Sequence, residues 1–169
     1  MSDRAVQVVA EIGCNHKGSF EIALELIRIA AKVCNADVAK FQKRHNRELL
    51  SPEQYDAPHP VPDNAYGPTY GAHREFLEFD TEQHRDLIAA CKDNGIAYST
   101  SVWDLTSARE MAALEPPMLK IPSATNQHYE LQSYLCEHYG GEIHVSTGMS
   151  TGQEIAELIA FYEERGRAR

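Results

Sequence analysis

Five short apolar runs, each closing on polar residues and each leading into a helix-patterned stretch, constrain this chain more than any other feature. They read Ala10-Glu11-Ile12-Gly13-Cys14-Asn15-His16-Lys17-Gly18, Val38-Ala39-Lys40-Phe41-Gln42, Ser99-Thr100-Ser101, Leu119-Lys120-Ile121-Pro122-Ser123 and Ser146-Thr147-Gly148-Met149. Strand then helix, repeated, specifies an α/β fold with a parallel sheet. Charged groups are rare at buried strand ends unless they are paired or functional. Several such ends converging would make an active site, and that is the layout of a (β/α) barrel of the TIM type.

The pattern along the chain supports this expectation. Val6 to Ile12 reads as a buried strand, and Ser19 caps a helix to Val33 with Ile22, Leu26, Ile29, Ala30 and Val33 at helical spacing. Ala36 to Phe41 is the second strand. Residues 43 to 79 are irregular, rich in Pro and Tyr, with a short helix expected near His73–Leu77; a loop of this length inside a compact domain is usually functional. Asp80 or Thr81 opens a helix that Gly95 closes. Ile96 to Ser101, Met118 to Ile121 and Glu142 to Ser146 are the remaining strands. Helices are expected over Leu105–Leu114 and Gln127–Tyr139, and from a Ser150…Gln153 capping box to about Arg165. The total is about five of the eight β/α units of a barrel, with no sixth strand.

Alternation assigns the side chains to faces. Val38, Lys40 and Gln42 share one face and Ala39 and Phe41 the other, while Met118 and Lys120 oppose Leu119 and Ile121. In a barrel one face packs on helices and the other points to the axis. Glu11, Lys40, Gln42 and Lys120 are therefore expected to project inward near the C-terminal strand ends.

Composition narrows the function. With 169 residues, 43% hydrophobic and 24% charged, the chain has ordinary globular composition and enough length for a sizeable core. A net charge of -9 disfavours nucleic-acid or anionic-membrane partners, although a few inward lysines suffice for one small anionic substrate. Cys14, Cys34, Cys91 and Cys136 form no CxxC pair, so a reducing, cytoplasmic setting is expected. No signal peptide or membrane span is expected.

These motifs, in this order and spacing, resemble the sialic acid synthase family of N-acetylneuraminate, legionaminate and pseudaminate synthases and the related 9-phosphate synthases. The resemblance rests on Ala10-Glu11-Ile12-Gly13-x-Asn15-His16-x-Gly18, Lys40-Phe41-Gln42-Lys43, Thr69-Tyr70 with Arg74 and Leu77-Glu78, Lys120-Ile121-Pro122-Ser123 and Ser146-Thr147-Gly148-Met149. It covers nearly the whole chain. It implies a metal-dependent (β/α)8 barrel using Mn²⁺ or Mg²⁺, often followed by a small antifreeze-like domain. The implied reaction condenses phosphoenolpyruvate with an N-acyl sugar aldehyde such as N-acetylmannosamine, giving a nonulosonic acid and phosphate. On this resemblance, residues 1–169 form the N-terminal part of the barrel domain, without the antifreeze-like domain.

The resemblance also implies roles. Lys40 and Lys120 would hold the carboxylate and phosphate of phosphoenolpyruvate, with Glu11 as a further catalytic group that contacts the sugar or handles a proton. Gln42 would contact the sugar, and Thr100, Ser123 and Ser146 would donate hydrogen bonds to the anionic groups. Asn15 and His16 would shape the loop after the first strand, and residues 43 to 79 would cover the acceptor-sugar side. Two departures stand out. Where many members read Pro-Phe-Asp after Ser-Thr, this chain reads Ser101-Val102-Trp103-Asp104. The family's two metal-binding histidines come from later strands, beyond this chain, and His59, His73, His84, His128, His138 and His144 form no HxxxH or HExxH set.

Plainer readings stand beside these. The lysines could be strand-end groups reaching water, Glu11 a simple salt-bridge partner, and the hydroxyls helix or turn caps. Two other functions stay open: an inactive fragment serving as a binding or assembly module, and a Schiff-base aldolase using Lys120. Five strands leave two open edges, so a homo-oligomer or a complementing C-terminal half is expected.

Overall fold

The computed structural model describes residues 6–168. Five strands, β1 (Val9–Gly13), β2 (Val38–Lys43), β3 (Ala97–Val102), β4 (Met118–Ile121) and β5 (Glu142–Val145), form one sheet in sequence order, and every pairing is parallel. The helices are α1 (Phe20–Lys32), α2 (Asn46–Leu49), α3 (Pro52–Asp56), α4 (Tyr70–Phe76), α5 (Thr81–Asn94), α6 (Leu105–Ala112), α7 (Tyr129–His138) and α8 (Gly152–Glu164). Sequential parallel order with crossovers of one hand keeps the helices on one face. The result is five β/α units of a TIM-type barrel as an open sheet, with β1 and β5 as its edges.

The helix-side face is the apolar one. Ala39, Phe41 and Tyr98 pack with Ala23, Ile27 and Ala30 of α1 and Leu87 and Cys91 of α5. The Phe41 and Tyr98 rings stack 5.7 Å apart. A second cluster joins Val102, Leu119 and Ile121 to α6 and α7 through Ala108, Met111, Leu131 and Leu135. Burying such side chains stabilises by roughly 1.5–3 kcal/mol each, which fixes strand register, since a one-residue slip would turn this whole set to the other face.

The helix ends follow their capping chemistry. Ser19 Oγ accepts from Ile22 N, and Asp80 with Gln83 forms a capping box on α5, which ends at Gly95. α8 departs from expectation by one residue. Its capping box is Thr151 with Glu154, because the Ser150 hydroxyl is taken by Asn126 Nδ2 at 2.8 Å. β1 starts at Val9 rather than Val6, and β2 reaches Lys43 because Lys43 still pairs with Val102.

The segment from 43 to 79, between β2 and α5, is ordered rather than a slack loop. It contains α2, α3 and α4, the last capped by Thr69 as the expected short helix. Its two ends are clasped together. Glu78 accepts from Arg44 Nε at 2.6 Å and from Arg44 N at 3.0 Å, and both side chains are nearly buried. Arg74 Nε donates to Asn46 Oδ1, and Asp104 accepts from His45 N, tying the segment to the start of α6. Among the described residues no helix is long and apolar enough to cross a membrane, and all four cysteines are free.

Candidate active site

Residues paired across a parallel ladder point to the same side of the sheet. The register therefore sorts the polar side chains without ambiguity. On the side away from the helices, one row holds Glu11, Lys40, Ser99, Met118 and Glu142, and the next holds Gln42, Ser101, Lys120 and His144. This inner face is polar at most positions, the reverse of the helix side.

Charges meet on it. Lys40 Nζ is ion-paired with a Glu11 carboxylate oxygen; the lysine is nearly buried and the glutamate half exposed. The ammonium of Lys120 is held below its usual pKa range, first by burial, then by the charge of Lys40, against a smaller opposing effect of Glu11. Two lysines thus crowd one patch with a single carboxylate between them. An incoming dianion would relieve that excess positive charge.

The backbone brings the sugar-side candidates together. Gly13 has φ +55° where β1 bulges against β2. A Cβ there would lie 3.2 Å from Gln42 Nε2 and 3.4 Å from Glu11 Oε1, so these two side chains crowd the same turn. The following loop is structural. Asn15 Nδ2 bonds Ile12 O, and His16 Nδ1 accepts from Gly18 N. The buried His16 ring stacks on Phe79 at 4.2 Å, and burial pushes its pKa down to about 4. A side chain at Gly18 would strike the Phe76 carbonyl oxygen at 2.5 Å, which locks this loop against the end of α4.

At the other end of the sheet, Ser123 and the loop after β5 lie against each other. A Cβ at Gly148 would meet Ser123 Oγ at 2.7 Å. Ser146 enters through its backbone: its N–H donates to Ile121 O and its carbonyl accepts from Asn126 Nδ2 at 2.9 Å. Buried Asn126 in turn accepts at its carbonyl from Gln132 Nε2, and Gln132 Oε1 accepts from Tyr162 of α8. Sequence reasoning passed over Asn126, an unremarkable residue in a turn.

The NeuB family model matches residues 26–169. The chain belongs to the NeuB family. An N-acetylneuraminate-9-phosphate synthase of Drosophila melanogaster is 32% identical over 163 residues, covering 96% of this chain and 43% of that protein. An N,N'-diacetyllegionaminic acid synthase of Campylobacter jejuni is 30% identical over 162 residues, covering 96% and 48%. In fold, the chain is similar to the N-acetylneuraminic acid synthetase of Leptospira borgpetersenii, solved in complex with citrate. The TM-score is 0.77 at 21% identity, with 95% of this chain and 52% of that one covered. The chain spans less than half the length of the curated relatives it matches.

Within this NeuB sheet, the expected site residues separate. Glu11, Lys40, Gln42 and Lys120 share the inner face, and Ser123 and Ser146 lie just past the strand ends. Thr100 does not join them. It pairs with Phe41 and Leu119, is fully buried, and lies on the helix side. It is thus placed apart from the other expected donors, and Ser101, in register with Gln42 and Lys120, holds the inward position. The available signal was Tyr98, a large aromatic that belongs in the core and fixes the parity of Ser99-Thr100-Ser101. Ser99, also inward, is fully buried, and its hydroxyl has no hydrogen-bond partner among the described residues.

Proposed function

We propose that this chain is the N-terminal part of a sialic-acid-type synthase. It would condense phosphoenolpyruvate with an N-acyl sugar aldehyde such as N-acetylmannosamine, and release phosphate. The observation that carries the reading is the convergence of Lys40 and Lys120 with Glu11 on the inner sheet face, in a chain of the NeuB family. Phosphoenolpyruvate carries a carboxylate and a phosphate, and two fixed ammonium groups plus hydroxyl donors answer that chemistry.

In the proposed reaction the methylene carbon bonds to the aldehyde carbon, whose oxygen becomes a hydroxyl. Water adds to the former enol carbon, and phosphate leaves from the tetrahedral intermediate. Lys40 and Lys120 hold the anionic groups, while Ser101 and Ser123 donate to them. Glu11 and Gln42 face the acceptor sugar, and Glu11 is placed to hold a proton near the new hydroxyl. Mn²⁺ or Mg²⁺ would supply Lewis-acid polarisation in the whole enzyme. The described residues do not fit such an ion: no three of their His, Cys, Asp and Glu side chains are grouped as ligands, and Glu11 is tied to Lys40.

The setting is proposed to be cytoplasmic, with the open sheet edges met by a second copy or by a complementing C-terminal half. The same open edges favour one alternative, a binding or assembly module that keeps the anion pocket without turnover. The test is phosphate release from phosphoenolpyruvate with N-acetylmannosamine and Mn²⁺, alone and with the downstream segment of a related synthase added. Release that needs the sugar and is lost in Lys120→Ala is expected. Release that persists in Lys120→Ala overturns the assignment, and none with the segment present favours the binding module.

A further inference from the structure

The proposed reaction leaves the inner face of β5 without a task. Its two inward residues are Glu142 and His144, while the packing of this strand is carried by Ile143 and Val145 on the helix side. A β-strand that needs only to seal a barrel has no use for an imidazole facing the axis. His144 is the register partner of Lys120, and the same row continues to Ser101 and Gln42. Adjacent strands lie about 4.8 Å apart, so the ring and the Lys120 side chain stand side by side on one face.

Glu142 steadies the ring. Its Oε2 lies 3.4 Å from His144 Nε2, and both side chains are half exposed, so the ring can meet a ligand without unfolding anything. The charged groups around it are Glu142 on its own strand, Lys120 on β4 with Lys40 and Glu11 beyond it, and Arg167. The last lines a cavity of about 270 Å³ with Glu142 and His144 and bonds Gly141 O. The balance on the Lys120 side is cationic, and an anion bound there comes within reach of a ring N–H.

We infer that His144 is a third anion-binding group of this site, donating a ring N–H to the phosphoenolpyruvate held by Lys120. The inference rests on the reading of Lys120 given above. A neutral imidazole offers one donor, and a protonated one adds a charge-assisted bond worth about tenfold in affinity.

The experiment measures phosphoenolpyruvate affinity calorimetrically between pH 5.5 and 8 for the unaltered chain, His144→Gln, His144→Lys and Lys120→Ala. The unaltered chain should bind about tenfold tighter than His144→Gln. His144→Lys should bind tightly throughout, and Lys120→Ala should lose binding. In the unaltered chain, the NMR signals of the His144 ring should shift at saturation. A ratio near one at every pH with unmoved ring signals, while Lys120→Ala still loses binding, overturns the role of His144 and leaves the site standing. Full binding by Lys120→Ala, or no saturable binding by the unaltered chain at millimolar ligand, overturns both.

Discussion

Thr100 and Ser101 are neighbours in sequence and serve opposite sides of the sheet. Replacing Ser101 by Ala should weaken phosphoenolpyruvate binding about fivefold with little change in stability, the cost of one hydrogen bond to a charged group. Thr100→Val, which keeps the shape of a fully buried side chain, should leave binding unchanged; the reverse pattern in a titration would mean the register is misassigned. Lys40 and Lys120 were legible because each is a charged residue between apolar ones, so alternation alone sets its face, and Gln42 follows as the residue two places after Lys40. Three hydroxyl residues in succession carry no such contrast, and the face of Thr100 emerges only from its strand partners. Two histidines give a further residue-scale prediction. His16 is stacked on Phe79, and His84 is buried with its Nδ1 2.6 Å from the Tyr98 hydroxyl; desolvation pushes their pKa values down to about 4 and about 3. Both are neutral in the fold, whereas an unfolded histidine takes a proton below about pH 6.5. The unfolded chain therefore binds more protons between pH 6.5 and 4, and stability should fall as the pH is lowered across that window, by up to about 1.4 kcal/mol per unit for each ring. Denaturant midpoints at pH 7, 5.5 and 4.5 check it, and His16→Gln should show a shallower fall.

Among the elements, the segment between β2 and α5 depends most on a few polar contacts. Arg44 and Glu78 are nearly buried together, and burial already pushes the Glu78 carboxyl up against the opposing pull of Arg44. Arg44→Ala strands that carboxylate, at an expected cost of about 3–5 kcal/mol, and releases the clasp on α2 to α4. Faster proteolysis between residues 46 and 77, with the sheet still protected, is the expected readout; unchanged cleavage would show that the clasp does not hold the segment. The helices were legible from local chemistry, as at Ser19, Asp80 and Gly95. The order of this segment was not, because its clasp spans 34 residues and no local pattern signals which glutamate meets which arginine. The start of α8 was missed by one residue for the same reason, a tertiary bond from Asn126 to Ser150.

At the scale of the whole molecule, β1 and β5 present unpaired edges, and the groove beside β5 is lined by Ile143, Val145, Leu158, Ile159 and Tyr162. Exposed parallel edges with apolar flanks recruit partners. Sedimentation should show mass-action association at micromolar concentration, reduced by Val145→Lys at the edge; a monomer at every concentration would contradict this. Winding order was legible from the five strand-helix repeats, while what meets the open edges was not, since pairing across chains leaves no local pattern. On the proposed function, the inner face binds phosphoenolpyruvate between Lys40 and Lys120. The most direct test is lysine labelling by reductive methylation, read by mass spectrometry, with and without the ligand. Lys40 and Lys120 should be protected while Lys32 and Lys92 on the helices label at unchanged rates. Labelling of Lys40 and Lys120 at the same rate with and without saturating ligand would overturn this placement of the ligand.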